Sequence, residues 1–155
     1  MHDGLVLAES GAILVHLADT SGKLTLPGAT GRMRVVQWCF AAAATVAPTL
    51  SMITMVDAGF MGKDPAARAF LADQADRWLS GLERVLKGQA WIAGDDFTIA
   101  DIMLVHNLRE VRDTDLLDSF SKVADLYERA LARPAWQTTR KLTADRMGVD
   151  LTQIP

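Results

Sequence analysis

The sequence predicts an all-α domain with a short strand and helix at its front, and three observations carry that prediction. Apolar residues recur at three- and four-residue steps through Leu71, Ala75, Trp78, Leu79, Leu82, Val85 and Leu86, which is one face of a helix. Helix-start chemistry stands at Asp64-Pro65 and at Thr98-x-x-Asp101. The one strand reading is the three-residue run Leu5-Val6-Leu7. The chain has 155 residues, 50% of them hydrophobic, enough for one domain with a core of its own.

The elements follow in order. Ser10 is placed to cap a helix running to about Leu17, with Ile13, Leu14 and Leu17 as its apolar stripe. Ser21-Gly22, Pro27-Gly28 and Gly31 mark the stretch 19–31 as loop or linker. A long helix is expected from Arg32 to Val56, kinked near Ala44 to Pro48 because proline lacks the backbone N–H. Asp64 caps the next helix with Pro65 at its first position, and Gly88 ends it in the left-handed conformation. A turn at 91–96 leads into a helix from Thr98 to about Arg109. Another spans Phe120 to Ala132, with Phe120, Val123, Tyr127 and Leu131 on one face, and Arg133-Pro134 stops it. A short final helix carries Trp136 and Leu142.

Charge and composition exclude several classes. The net charge is -3 from 16 basic and 19 acidic residues, and the modestly basic Arg140, Lys141 and Arg146 read as a solvated face, so nucleic acid is not expected. The start has no long apolar segment of a secretory leader. The run Val35 to Met55 carries Gln37, Thr45, Pro48, Thr49, Ser51 and Thr54, so a buried helix is expected there and no membrane partner. Cys39, the single cysteine, forms no internal disulfide and suits a reducing cytosol; it reads as a small buried hydrophobe. His2, His16 and His106 are too scattered to predict a metal site.

Two motifs stand out. Thr98 and Asp101 are spaced for a reciprocal capping box, with Phe97 and Ile102 at the hydrophobic staple positions; the role is structural. The segment Asp3-Gly4-Leu5-Val6-Leu7-Ala8-Glu9-Ser10-Gly11-Ala12-Ile13-Leu14 runs an apolar strand into a Glu-Ser helix start. Unpaired N–H groups at such a start suit a carboxylate ligand, and an ordinary N-cap with a nearby acidic residue is the alternative.

In this order, with helical sequence between them, the two motifs resemble the bacterial glutathione S-transferases. The resemblance implies a remnant of a thioredoxin-like glutathione-binding domain at 1–20, a linker at 21–31 and the family's helical C-terminal bundle at 32–155. It implies that Glu9 and Ser10 hold the γ-glutamyl end of glutathione, and that the long helix walls the pocket of a hydrophobic second substrate with Met33, Gln37, Trp38 and Phe40. The parent activity is conjugation of glutathione to hydrophobic electrophiles. The residue that activates the thiol lies in the family upstream of the matched region, and neither Tyr127 nor Cys39 stands at its position, so impaired conjugation is expected of the chain as given. A cytoplasmic homodimer is implied, joined through 11–17 and 32–56. The alternative is a non-catalytic helical binding or dimerisation module.

Overall fold

The computed structural model describes residues 4–154; Met1, His2, Asp3 and Pro155, and the readings that rest on them, lie outside the described residues. The helices are α1 (Ser10–Ser21), α2 (Gly28–Ala41), α3 (Ala47–Asp57), α4 (Pro65–Leu86), α5 (Ile99–Leu108), α6 (Ser121–Leu131) and α7 (Pro134–Met147), with a π-helical turn at Ala42–Val46 and short 3₁₀ turns between and after them. The all-α expectation holds. The strand does not: Leu5 shows a single bridge position, and Leu5, Val6 and Leu7 are exposed. Three residues without a neighbouring strand among the described residues cannot build a ladder.

The bundle is arranged around α5. Ile99, Ala100, Asp101, Met103, Leu104, Val105, Asn107 and Leu108 are all buried, so this helix is enclosed on nearly every side. The rod α2–π–α3 packs on it through Val35, Cys39, Ala42, Val46 and Leu50. In turn α4 packs against α3 and α6 through Leu71, Ala75, Leu79, Leu82 and Leu86. Trp78, expected on that apolar face, is 42% exposed, because the stripe of buried residues is narrower than the periodicity drawn from sequence.

Proline 48 acts as expected, but by a softer device than a kink. The chain absorbs the missing N–H in the π turn at Ala42–Val46, and Asn107 Nδ2 donates to the Ala42 carbonyl at 2.8 Å. By length and composition, Gly28–Asp57 is apolar enough to cross a membrane; here one side of it forms the bundle core.

At the start of α5 the capping box is present. Asp101 Oδ2 accepts from Thr98 N at 2.8 Å and from the Thr98 hydroxyl at 3.1 Å, while Thr98 Oγ1 accepts from Ala100 N at 3.3 Å. A further bond is not visible in the spacing: Asp101 Oδ1 accepts from Ile92 N at 2.8 Å, tying the 91–94 turn to the helix. Burial raises the Asp101 carboxyl above its ordinary value, against the lowering effect of these hydrogen bonds. Outside the box, Ile99 N donates to Leu24 O at 2.9 Å, which anchors the linker, and Leu24 adopts φ 57° to make that bond. At the start of α6, Glu83 of α4 accepts from Lys122 N at 2.9 Å and Val123 N at 3.1 Å, so a distant carboxylate caps that helix.

Several boundaries differ from expectation. The coil of the linker is confined to 22–27, since 28–31 already belong to α2. Gly31 sits there for close approach, because a Cβ would lie 2.9 Å from Leu26 Cβ. Lys87 caps α4 in the right-handed conformation and Gly88 is not left-handed; its N–H bonds Val85 O at 3.2 Å in a tight turn. The left-handed caps are Gly22 after α1 and Gly148 after α7. The last helix is not short, spanning 14 residues.

Candidate functional site

The Glu-Ser motif folds into an unusual helix entry. Glu9 occupies the N-cap position at φ 69°, ψ 119°, a conformation that costs a non-glycine residue about 1–3 kcal/mol. Ser10 is the first residue of α1 and not its cap, contrary to the sequence expectation. No side chain caps the helix and no acidic residue stands in its first turn. The first helical bond is Ile13 N to Glu9 O at 3.0 Å, so the N–H groups of Ser10, Gly11 and Ala12 precede the ladder and form an electropositive end. The Ser10 hydroxyl, instead of capping, lies 3.8 Å from Met103 Sδ.

That contact sets Ser10 on the edge of an apolar groove of about 530 Å³. Ile13 and Leu14 of α1 form one wall, and Phe97, Ile102 and Met103 form the floor. Arg133 and Trp136 close the far side, where the Arg133 guanidinium lies 3.8 Å from the centre of the Phe97 ring. Phe97 in turn meets Trp91 edge to face at 4.8 Å, and Arg129 lies 4.2 Å over Trp91. This ladder of alternating cations and rings holds the end of α6 against the 91–97 turn.

The other residues singled out in the sequence lie elsewhere. Met33 and Gln37 line a shallow hollow on the outer face of α2 with Thr30 and Arg34. Trp38 is half-buried against the core, and Phe40 is exposed. None of the four lines the groove beside Ser10. Thr98 and Asp101 sit beneath the groove floor, wholly buried, in the structural role expected of them. Cys39 is buried among apolar neighbours, which pushes its thiol up to about 11, so it is a neutral core residue at physiological pH. Among the described residues, no group of three or more metal-binding side chains gathers.

Met103, Arg133 and Trp136 were not legible as groove residues. Each reads as core or helix-start chemistry in one dimension; only the crossing of α1, α5 and α7 brings them together.

Comparison with known proteins places this architecture. The profile described as glutathione S-transferase, C-terminal domain, matches residues 52–137. The chain is 32% identical to a glutathione transferase from Burkholderia graminis, with a TM-score of 0.80. That crystal structure holds two glutathione molecules per subunit, and the match covers 89% of this chain and 62% of the other. A glutathione transferase family member from Pseudomonas fluorescens, with two glutathione bound, is 31% identical with a TM-score of 0.79, over 86% of this chain and 63% of that one. A glutathione transferase from Phanerochaete chrysosporium, in complex with oxidised glutathione, shares the fold at a TM-score of 0.83 and 21% identity, over 93% of this chain and 70% of that one. The chain belongs to the glutathione S-transferase family, through its helical C-terminal domain. It spans a little over three fifths of the length of the two bacterial transferases.

Proposed function

We propose that this chain is a glutathione transferase-like protein in which Glu9 and Ser10 form the part of the glutathione site that contacts the γ-glutamyl end. The observation that carries the reading is the strained Glu9 set directly before an uncapped helix start. Strain of that kind persists where the surroundings impose it, and it sets Glu9 and Ser10 side by side at the start of α1, with the Ser10 hydroxyl at the groove edge. The exposed N–H groups of α1 attract a ligand carboxylate, and the Glu9 carboxylate attracts its ammonium group.

The groove beside Ser10 is the apolar surface that a hydrophobic second substrate, or a further polypeptide unit laid over α1 and α5, would cover. The division into a remnant at 1–20, a linker at 21–31 and a helical domain at 32–155 belongs to this reading, with the coil between α1 and α2 inside the linker. Conjugation by this chain is impaired in our reading, since binding groups do not supply an activated thiolate. Tyr127 and Cys39 support this, because the hydroxyl of the first is enclosed on α6 and the thiol of the second is buried in α2. Self-association through the rod completes the proposal. Its outer face carries the exposed Met33, Phe40, Ala44, Pro48, Met52 and Met55, with the polar Thr30, Arg34 and Gln37 exposed at the α2 end. The proposed setting is a bacterial cytosol. The second function reading, a non-catalytic binding or dimerisation module, rests on the same apolar stripe.

Calorimetry with glutathione tests the site. Weak binding is expected in the 155-residue protein, and Ser10→Ala should weaken it by about 1.5 kcal/mol or more, the loss of a charge-assisted hydrogen bond. Identical affinity in both proteins would reduce Ser10 to a helix start. Light scattering at micromolar concentration should give about twice the 16.9 kDa chain mass, and a clean monomer would remove the dimer. Turnover of an aryl halide above the uncatalysed glutathione rate would refute the impairment.

A further inference from the structure

Met103 touches both halves of the proposed site. Its sulfur accepts from the Ser10 hydroxyl at 3.8 Å, and its side chain forms part of the groove floor beside Phe97 and Ile102. The residue belongs to α5, the enclosed central helix, and is itself buried, so its backbone is firmly placed. Next to Ser10, Gly11 carries no side chain; a Cβ there would stand 3.9 Å from Met103 Cε, an ordinary contact distance. The thioether therefore lies against the start of α1 at two successive residues. The Ser10 hydroxyl makes no capping bond to its own helix, so its direction is set by Met103.

A thioether is a weak acceptor, so the hydroxyl is held without being firmly committed. A ligand carboxylate is a far better acceptor, and the exchange costs only the bond to sulfur. The methionine side chain has three rotatable bonds, and its polarisable sulfur makes favourable contacts with aromatic rings. An aromatic molecule lying on the groove floor offers the sulfur such a contact, and the thioether then turns away from Ser10. We propose that Met103 is a positioning residue for Ser10 and the element that couples the two ligand sites. An aromatic occupant of the groove draws the sulfur away and releases the Ser10 hydroxyl for the glutathione carboxylate, so each ligand tightens the binding of the other. This inference rests on the reading of Glu9 and Ser10 as glutathione contacts. The coupling is bounded by one weak hydrogen bond, which sets it at about threefold, equal in both directions by linkage.

Calorimetric titration of the intact protein with glutathione, with and without the neutral aromatic probe naphthalene-2-methanol, tests the proposal. In the wild type, saturating probe should lower the glutathione Kd about threefold, and saturating glutathione should lower the probe Kd by the same factor. Met103→Leu keeps the volume and removes the acceptor. It should bind glutathione about threefold more tightly without probe, and the probe should then add nothing. In a Ser10→Ala background the same change at Met103 should leave glutathione affinity unmoved, a result that a packing role alone would not give. The wild-type measurement needs no substitution, so it decides the matter even where Met103→Leu disturbs the fold. Glutathione binding that weakens in Ser10→Ala but ignores the probe in the wild type overturns the coupling and leaves the Glu9–Ser10 reading intact. Absence of probe binding up to millimolar concentration does the same. No glutathione binding by the wild type, or binding that Ser10→Ala leaves unchanged, overturns that reading and the coupling with it.

Discussion

Replacing Asp101 by alanine is the perturbation with the most to say about how this bundle holds together. The carboxylate accepts two backbone N–H groups, from Ile92 and Thr98, both at 2.8 Å, and the Thr98 hydroxyl at 3.1 Å. Ile92, Thr98 and Asp101 are each 0% exposed, so water cannot reach the donors left behind. A buried donor stripped of its partner costs about 1–3 kcal/mol, so two backbone N–H groups give roughly 2–6 kcal/mol. The hydroxyl can turn toward another acceptor and adds little. Against this, alanine relieves the cost of keeping a carboxylate out of water, the cost that raises the Asp101 carboxyl. The expected net loss is about 3–4 kcal/mol, a large share of the roughly 5–15 kcal/mol typical of a domain. Urea unfolding followed by circular dichroism measures it. With a slope of about 2 kcal/mol/M, the midpoint should fall by about 1.5–2 M while the slope stays constant. Asp101→Asn, which keeps one acceptor and turns an amide N–H toward the other donor, should fall between the two proteins. A loss below about 1 kcal/mol in Asp101→Ala would refute the reasoning, because the stranded N–H groups would then have found other partners.

Three further predictions follow from other features. The Cys39 thiol rises to about 11 in the folded chain from 9.0, so at pH between those values the unfolded chain has lost a proton that the folded chain retains, and stability falls as pH rises through that window by roughly 2–3 kcal/mol. Thermal melts should show that fall in the wild type and a flatter profile in Cys39→Ala; parallel profiles would contradict it. Gly31→Ala gains about 1 kcal/mol in helix propensity but drives a Cβ to 2.9 Å from Leu26 Cβ and 3.1 Å from its backbone carbon, so a net loss of about 1–2 kcal/mol is expected in urea unfolding, and any stabilisation would be the opposite result. Glu9→Gly removes the strain at φ 69° and should raise stability by about 1 kcal/mol while abolishing glutathione binding; lower stability would show that Glu9 makes a native contact worth more than its strain.

Much of the bundle is written in local patterns. The spacing of Leu71, Ala75, Leu79, Leu82 and Leu86 determines α4 and its buried face, since a 3.6-residue period has one structural solution. Thr98, Asp101, Phe97 and Ile102 determine the start of α5, because the chemistry of a helix entry is local. Pro48 determines that the rod must deviate, since its missing N–H is a property of one residue. Other features belong to the tertiary structure alone. The deviation became a π turn because Asn107, on another helix, is there to take the Ala42 carbonyl. Ser10 left the N-cap position for the first turn of α1, with its hydroxyl on Met103 Sδ and Glu9 strained before it. The groove joins residues from α1, α5 and α7, and the packing around α6 leaves the Tyr127 hydroxyl without a hydrogen-bond partner among the described residues. Periodicity and capping are interactions within about one helical turn, so sequence order contains them. Cavities and orphaned groups arise where distant segments cross, and only the packed chain decides which side chains meet there.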